Sequence, residues 1–80
     1  MNESTIERTV TLHAKRRGWI SVKLSGAYER MFLRDGVAVY LAFGSPNDSQ
    51  RRTITSLRAA GFSATWVDNF EDGKRFFANR

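Results

Sequence analysis

One uninterrupted apolar segment, Val37–Phe43, constrains the fold of this chain more than any other feature. It is bounded by the dipeptide Asp35-Gly36 on one side and by Gly44 on the other, and residues 36–47 contain no carboxylate. A short apolar run between turn residues is typical of a central strand that is covered on both faces. The sequence therefore predicts a sheet that has this strand in its interior and is flanked by helices.

The length of 80 residues suits a single domain with one modest core, and we expect residues 1–80 to form that domain. Burial only narrowly exceeds the entropy cost of folding at this size, so a homodimer would add useful buried area. The absence of cysteine excludes disulfides and thiolate metal sites. No apolar run is long enough to span a membrane and the N-terminus is polar, so the sequence predicts a cytoplasmic protein without membrane contact.

The segment before the apolar run predicts a helix and two strands. The helix covers residues 5–17, where Ser4 and Glu7 have the spacing of a capping box and Gly18 supplies the stop. Residues 19–24 alternate between apolar and polar side chains, which indicates a strand, and we expect residues 29–34 to form a second strand after a turn at residues 25–27. Asp35-Gly36 is a strong signal for a two-residue hairpin turn.

The segment after the apolar run predicts a helix, a strand and a final helix. The first of these helices begins near residues 47–49, ends at Gly61 and turns Ile54, Leu57 and Ala60 inward. A strand at residues 62–67 follows. The last helix has Asp68-Asn69 as caps and an apolar face of Phe70, Phe76 and Phe77. The aromatic residues Trp19, Tyr40 and Trp66 are expected in the core. The predicted fold is α/β in the order αβββαβα, with an antiparallel meander, a parallel fourth strand and a small mixed sheet.

The charge of the chain favours an anionic partner. Thirteen Lys and Arg residues, ten of them Arg, outnumber eight Asp and Glu residues and give a net charge of +5. Arginine suits phosphate, but it suits the carboxylates of a protein partner equally well. The candidate nucleic-acid-binding residues are Lys23, Arg30, Arg34, Gln50, Arg51 and Arg52. Gln50 is equally explained as a polar residue near a helix cap, and the arginines after it as a solvated helix face.

Several short stretches of the sequence together form a recognisable pattern. They are Glu3-Ser4-x-Ile6-Glu7, Gly18 before a strand that ends Val22-Lys23-Leu24, Gln50, Leu57-Arg58-Ala59-Ala60-Gly61-Phe62 and Val67-Asp68-Asn69-Phe70-Glu71-Asp72. Together they resemble the VRR-NUC family, the small phage-type branch of the PD-(D/E)xK nucleases, across nearly the whole chain. The resemblance implies a restriction-endonuclease-like core, DNA as the substrate and a homodimer.

The catalytic residues that this resemblance implies are only partly present. The family's helix glutamate matches Glu7, and its Gly-x-Pro-Asp-Arg motif would fall on Gly26-Ala27-Tyr28-Glu29-Arg30, with Tyr28 in place of proline and Glu29 in place of aspartate. The Glu-x-Lys motif would fall on Leu41-Ala42-Phe43, and hydrocarbon there can neither hold a divalent metal nor position water. Glu7 and Glu29 remain as candidate metal ligands and catalytic remnants, with Lys23 as a displaced cation.

We therefore predict a nuclease-derived, catalytically degenerate protein of phage type that binds nucleic acid and needs no cofactor. Two alternatives stay open: a phage effector that binds and modulates a host protein, and a weak DNA endonuclease that uses Mg²⁺ or Mn²⁺. Simpler interpretations of the remnants stay open as well. Glu7 is explained by the capping box, Glu29 by a solvated strand pair with Arg30, and Lys23 by a surface position.

Overall fold

The computed structural model describes residues 2–26 and 28–80, and over these residues the chain has the predicted order αβββαβα. The predicted turn at residues 25–27 includes Ala27, which lies outside the described residues. None of the described helices has the length and hydropathy needed to cross a bilayer. The helices are α1 (Glu3–Arg16), α2 (Asp48–Ala59) and α3 (Phe70–Ala78), and the strands are β1 (Ile20–Lys23), β2 (Glu29–Arg34), β3 (Val37–Phe43) and β4 (Ser63–Val67).

The four strands form one mixed sheet in the order β1-β2-β3-β4. The first three are antiparallel neighbours, and β4 is parallel to β3 because α2 carries the chain back across the sheet. Asp35 and Gly36 have φ values of 52° and 78°, as a two-residue hairpin turn requires. Residues 39–43 of β3 are all buried, which confirms the predicted central strand.

Two layers of helices cover the sheet, and each covers its own apolar cluster. Side chains of β3 alternate between the faces: Val39 and Leu41 point to one side, and Tyr40 points to the other. The larger cluster lies under α1 and α3 and contains Ile6, Val10, Ala14, Trp19, Phe32, Val39, Leu41, Phe43, Val67 and Phe77. The smaller cluster lies under α2 and contains Tyr40, Ala42, Ile54 and Ala64, with Leu24, Met31 and Leu57 packed against it.

Two predicted core positions are exposed instead. Ala60 does not face inward, because α2 ends at Ala59 and Ala60 is its C-cap. Trp66 is exposed on β4, the edge strand of the sheet, whereas Trp19 and Tyr40 are buried as expected. The apolar face of the last helix agrees with the prediction: Phe77 is buried, and its neighbours pack against the larger cluster.

The start of α1 differs from the prediction. The helix begins at Glu3 and its N-cap is Asn2, whose side chain accepts a hydrogen bond of 2.9 Å from the backbone N–H of Thr5. The predicted capping box of Ser4 and Glu7 is therefore wrong. Asparagine is as good an N-cap as serine, so the helix begins about half a turn earlier without losing a cap. The earlier start places Glu7 in the second turn, on the buried side of the helix.

Candidate anion-binding groove

A groove of about 500 Å³ lies between α1 and the β1–β2 hairpin. On the helix side, Ser4, Arg8 and Lys15 recur at spacings that place them along one stripe of α1. On the sheet side, Lys23 and Arg30 are direct cross-strand partners, so their side chains leave the sheet on the same face. We call this surface the cationic groove; it is lined by Ser4, Glu7, Arg8, Thr11, Leu12, Lys15, Lys23 and Arg30.

Glu7 is buried in the wall of the cationic groove, with 7% of its surface exposed. Its Oε2 accepts hydrogen bonds from Lys23 Nζ and from Arg30 Nε, each at 2.7 Å. Arg30 is also held by Ser21, because its Nη1 donates to Ser21 Oγ at 2.6 Å. Two cations directly opposite each other on neighbouring strands repel, and the carboxylate between them offsets this repulsion. Glu7 thus fixes the position of both cations.

The pKa of Glu7 is lowered from its ordinary value of 4.5. Burial by itself would raise this pKa, because it penalises the charged form. The hydrogen bonds from Lys23 and Arg30, together with their positive charges, outweigh the effect of burial. Glu7 is therefore ionised at neutral pH.

Cations remain in excess after the Glu7 carboxylate is taken into account. Four cationic side chains line the groove with one carboxylate, and Arg8 and Lys15 have no acidic partner among the described residues. The Thr11 hydroxyl, also in the lining, is buried and has no hydrogen-bond partner within the described part of the chain. The Thr11 hydroxyl oxygen is closed to solvent, so the attraction of the groove for an anion comes from the four cations. This chemistry suits a phosphate group.

Glu29, the second predicted metal ligand, lies on the opposite face of the sheet. Tyr40 donates its hydroxyl to Glu29 Oε1, and Tyr40 belongs to the cluster under α2. Burial raises the pKa of Tyr40, and the hydrogen bond to the carboxylate raises it further. Because the sheet separates Glu7 from Glu29, the two carboxylates do not share a site. Within residues 2–26 and 28–80, no three His, Cys, Asp or Glu side chains converge to form a metal-binding group.

Lys23 and Arg30 are the two predicted nucleic-acid-binding residues that the structure brings together; the other four lie elsewhere. Arg34 stacks on Trp19, with its Cζ 4.4 Å from the ring centroid, and its Nη1 donates to the carbonyl of Arg17 at 2.9 Å. Arg51 and Arg52 are exposed on α2, which packs on the other side of the sheet from α1.

Gln50 is also on α2, where it completes a capping box with Asn47. Its side chain accepts from the Asn47 N–H at 3.0 Å, and the Asn47 side chain accepts from the Gln50 N–H at 2.8 Å. The sequence left open whether Gln50 contacts phosphate or lies at a helix cap, and the structure shows the role at the cap.

Sequence reasoning missed the helix side of the cationic groove. Arg8, Thr11 and Lys15 were overlooked because the apolar stripe of α1 dominated the interpretation of that helix. Their spacing of three and four residues was a usable signal, since it places them on one side of any helix that includes them.

Leu41 and Phe43 lie in the core under α1 and α3, at 0% and 2% exposure. The positions predicted to correspond to a nuclease Glu-x-Lys motif are therefore closed to solvent as well as uncharged. No family model, no curated protein and no solved structure matches the chain. The resemblance to the VRR-NUC family accordingly remains a prediction from the sequence motifs.

Proposed function

We propose that this protein binds nucleic acid through the phosphate backbone and that the cationic groove is its contact surface. The observation that carries the proposal is the convergence of four cations on one groove. Phosphate oxygens would accept hydrogen bonds from these cations, and charge-assisted hydrogen bonds are the strong ones.

The four cations divide into two kinds. Lys23 and Arg30 are held in place by Glu7, so they lose little freedom when they meet a phosphate. Arg8 and Lys15 lack an acidic partner within the described residues and carry the uncompensated charge of the groove. Binding of this kind follows the backbone rather than the bases, so it has low sequence preference and a steep dependence on salt.

In this proposal the protein binds nucleic acid without cutting it. Cleavage assisted by a metal needs oxygen ligands that converge beside the scissile phosphate. Glu7 is engaged by two cations and Glu29 lies across the sheet. The VRR-NUC resemblance supports a nuclease of phage type as the origin of the scaffold.

Fluorescence anisotropy with labelled duplex and branched DNA tests the groove. The double variant Arg8→Gln/Lys15→Gln removes two cations from it, and Arg51→Gln/Arg52→Gln is the control of equal charge on α2. We expect the groove variant to bind at least about tenfold more weakly at low salt and to reduce the slope of log K against log[salt] by about 1 to 2, because each duplex contact contributes about 0.9. Absence of binding at low salt, or an equal loss in the α2 control, would contradict the proposal.

Incubation with supercoiled plasmid and Mg²⁺ or Mn²⁺ separates binding from cleavage. We expect no metal-dependent nicking beyond that of a matched buffer blank. Glu7→Ala and Glu29→Ala identify any contaminating nuclease, since a contaminant would be unaffected by either change. Nicking that disappears in one of these variants would favour the weak endonuclease over the proposed binding protein.

The competing proposal is a host protein as partner, because the same cations suit an acidic protein surface. A pull-down from nuclease-treated host lysate, with the protein and its Arg8→Gln/Lys15→Gln variant as bait, distinguishes the two. A partner retained after the nucleic acid is removed, together with no DNA binding at low salt, would favour the host-protein role.

A further inference from the structure

On the side of the sheet away from α1, the described residues place a helix over only half of the strands. There α2 packs against β4 and leaves the β1–β2 hairpin open. Ile20, Val22 and Leu33 are exposed on this side by 66%, 40% and 37%. The alternation of side chains places them on one face with Leu24 and Met31, which pack against the cluster under α2. We call these residues the uncovered apolar face.

The dimensions of the uncovered apolar face fit one helix. Strands about 4.8 Å apart make a four-stranded sheet about 19 Å wide, and a helix with its side chains is about 10 Å across, so a face holds two helices side by side. Helices α1 and α3 lie over one face, whereas α2 alone lies over the other. The six residues of β2 extend for about 20 Å, which is the length of about 13 helical residues.

A carboxylate belongs to the same side of the sheet. Glu29 lies two positions before Met31 on β2, so both side chains leave the strand on one side. Glu29 accepts a hydrogen bond from Tyr40, but no Lys or Arg of residues 2–26 and 28–80 lies within ion-pair distance of its carboxylate. The cations of the hairpin leave the sheet on the opposite side, toward α1. A ligand of this face therefore meets hydrocarbon beside an acid that lacks a counter-ion in the described chain.

We infer that the uncovered apolar face binds an amphipathic helix of another protein, whose Lys or Arg pairs with Glu29. Helices that dock in this way present apolar anchors at i, i+3, i+4 and i+7. Such a stripe would pack beside α2 and complete the second layer of helices over the sheet. The cationic groove lies on the other face of the same hairpin, so the inference is independent of nucleic-acid binding.

A second copy of this chain fits the face less well. Its helices α1, α2 and α3 already turn their apolar residues to their own core, so no helix of the described residues has an apolar face left to dock. A two-fold contact brings the same surface against itself, so Glu29 of each copy would meet a face without a cation. With a net charge of +5, two copies also repel over much of their surface.

NMR titration of the isotope-labelled protein with designed helical peptides tests the inference. The probe peptide has about 14 residues, a stripe of Leu at i, i+3, i+4 and i+7, and one Lys beside the stripe; the control peptide has Glu in place of that Lys. We expect the amide signals of β1 and β2 to shift and the Lys peptide to bind at least about threefold more tightly than the Glu peptide. The net charge of +5 alone would favour the Glu peptide, so this order distinguishes pairing with Glu29 from nonspecific attraction.

Three variants locate the contact. Val22→Lys should weaken binding of the Lys peptide at least about tenfold, because it places a charge in an apolar contact. Val37→Lys is the matched control, since Val37 is a similarly exposed strand residue that lines a cavity with Trp19 on the other face. Glu29→Gln keeps an acceptor for Tyr40 and should abolish the preference for the Lys peptide.

The results that would overturn the inference are equally specific. They include no binding of the Lys peptide up to about 1 mM, and shifts confined to α1 and the cationic groove. A preference for the Glu peptide, or equal losses in Val22→Lys and Val37→Lys, would also overturn it. Signals of β1 and β2 that shift with protein concentration in the absence of peptide would assign the face to a second copy and overturn it as well.

Discussion

Glu7 and its two cationic partners form a group in which each member depends on the others. The carboxylate is nearly inaccessible, while Lys23 and Arg30 retain 48% and 23% side-chain exposure. We expect Glu7→Gln to lower the free energy of unfolding by about 1–3 kcal/mol, since a hydrogen bond between charges is lost and Arg30 is left partly buried. Urea unfolding measures this change. Glu71→Gln, an exposed carboxylate in the first turn of α3, is the control and should change stability by less than about 0.5 kcal/mol.

The same carboxylate makes the stability of the protein depend on pH. The pKa of Glu7 is lowered by folding, so its contribution is fully present above the ordinary value of 4.5 and is lost as pH falls through the lowered folded value. We expect the urea midpoint of the wild-type protein to fall more steeply below pH 4.5 than that of Glu7→Gln. Parallel pH profiles for the two proteins would show that Glu7 is not responsible.

On the opposite face, the hydroxyl of buried Tyr40 depends on Glu29. Tyr40→Phe keeps the ring and removes the donor, so we expect a loss of about 1 kcal/mol in the free energy of unfolding. Tyr28→Phe is the matched control, because Tyr28 is exposed and belongs to neither apolar cluster. A stability change in Tyr28→Phe as large as that in Tyr40→Phe would argue against the importance of the Tyr40–Glu29 hydrogen bond.

Single residues also show where prediction from sequence stops. Lys23 and Arg30 were predicted as phosphate contacts from charge alone, and the structure places them in one groove. Glu7 was interpreted either as half of a capping box with Ser4 or as a remnant metal ligand, whereas the structure caps the helix with Asn2. Serine and asparagine are equally good N-caps, so local sequence does not decide between Ser4 and Asn2. The choice depends on the tertiary burial of the second turn of the helix, which no local pattern encodes.

At the scale of elements, the close approach of α1 and α3 depends on Gly73. A Cβ built on this helical glycine would collide with the side chain of Val10. Alanine has the higher helix propensity, by about 1 kcal/mol, but overpacking a core contact costs about 1–3 kcal/mol. The cost of overpacking against Val10 is therefore larger than the gain in helix propensity, which favours glycine over alanine at position 73.

We expect Gly73→Ala to destabilise the protein and Val10→Ala to reduce that penalty in the double variant, because the smaller side chain leaves room for the added methyl group. A double-mutant cycle from urea unfolding measures the coupling, which should exceed about 0.5 kcal/mol. Strictly additive effects would mean that the two helices adjust without this contact.

The order of elements was predictable because each has a local signature. Alternation marks β1, Asp35-Gly36 marks the turn that ends β2, and the apolar run marks β3. The coverage of the sheet was not predictable in the same way. Whether a helix lies over β1–β2 or over β3–β4 depends on how α2 packs, and the alternating pattern of Ile20 and Val22 is the same in either case.

At the scale of the whole molecule, the charge of +5 gives salt two opposing effects. Salt screens repulsion within the folded chain and should raise the thermal unfolding midpoint, because excess charge of one sign destabilises a compact state. Salt also competes with the release of counterions and should weaken duplex binding steeply.

We therefore expect stability and DNA affinity to change in opposite directions across one series of NaCl concentrations, measured by thermal unfolding and by anisotropy in the same buffers. Arg51→Gln/Arg52→Gln separates the two effects, since it lowers the net charge without altering the cationic groove. Its stability should respond less to salt than that of the wild type, while its slope of log K against log[salt] stays the same. If this variant instead loses the salt dependence of binding, α2 rather than the groove contacts the phosphate backbone.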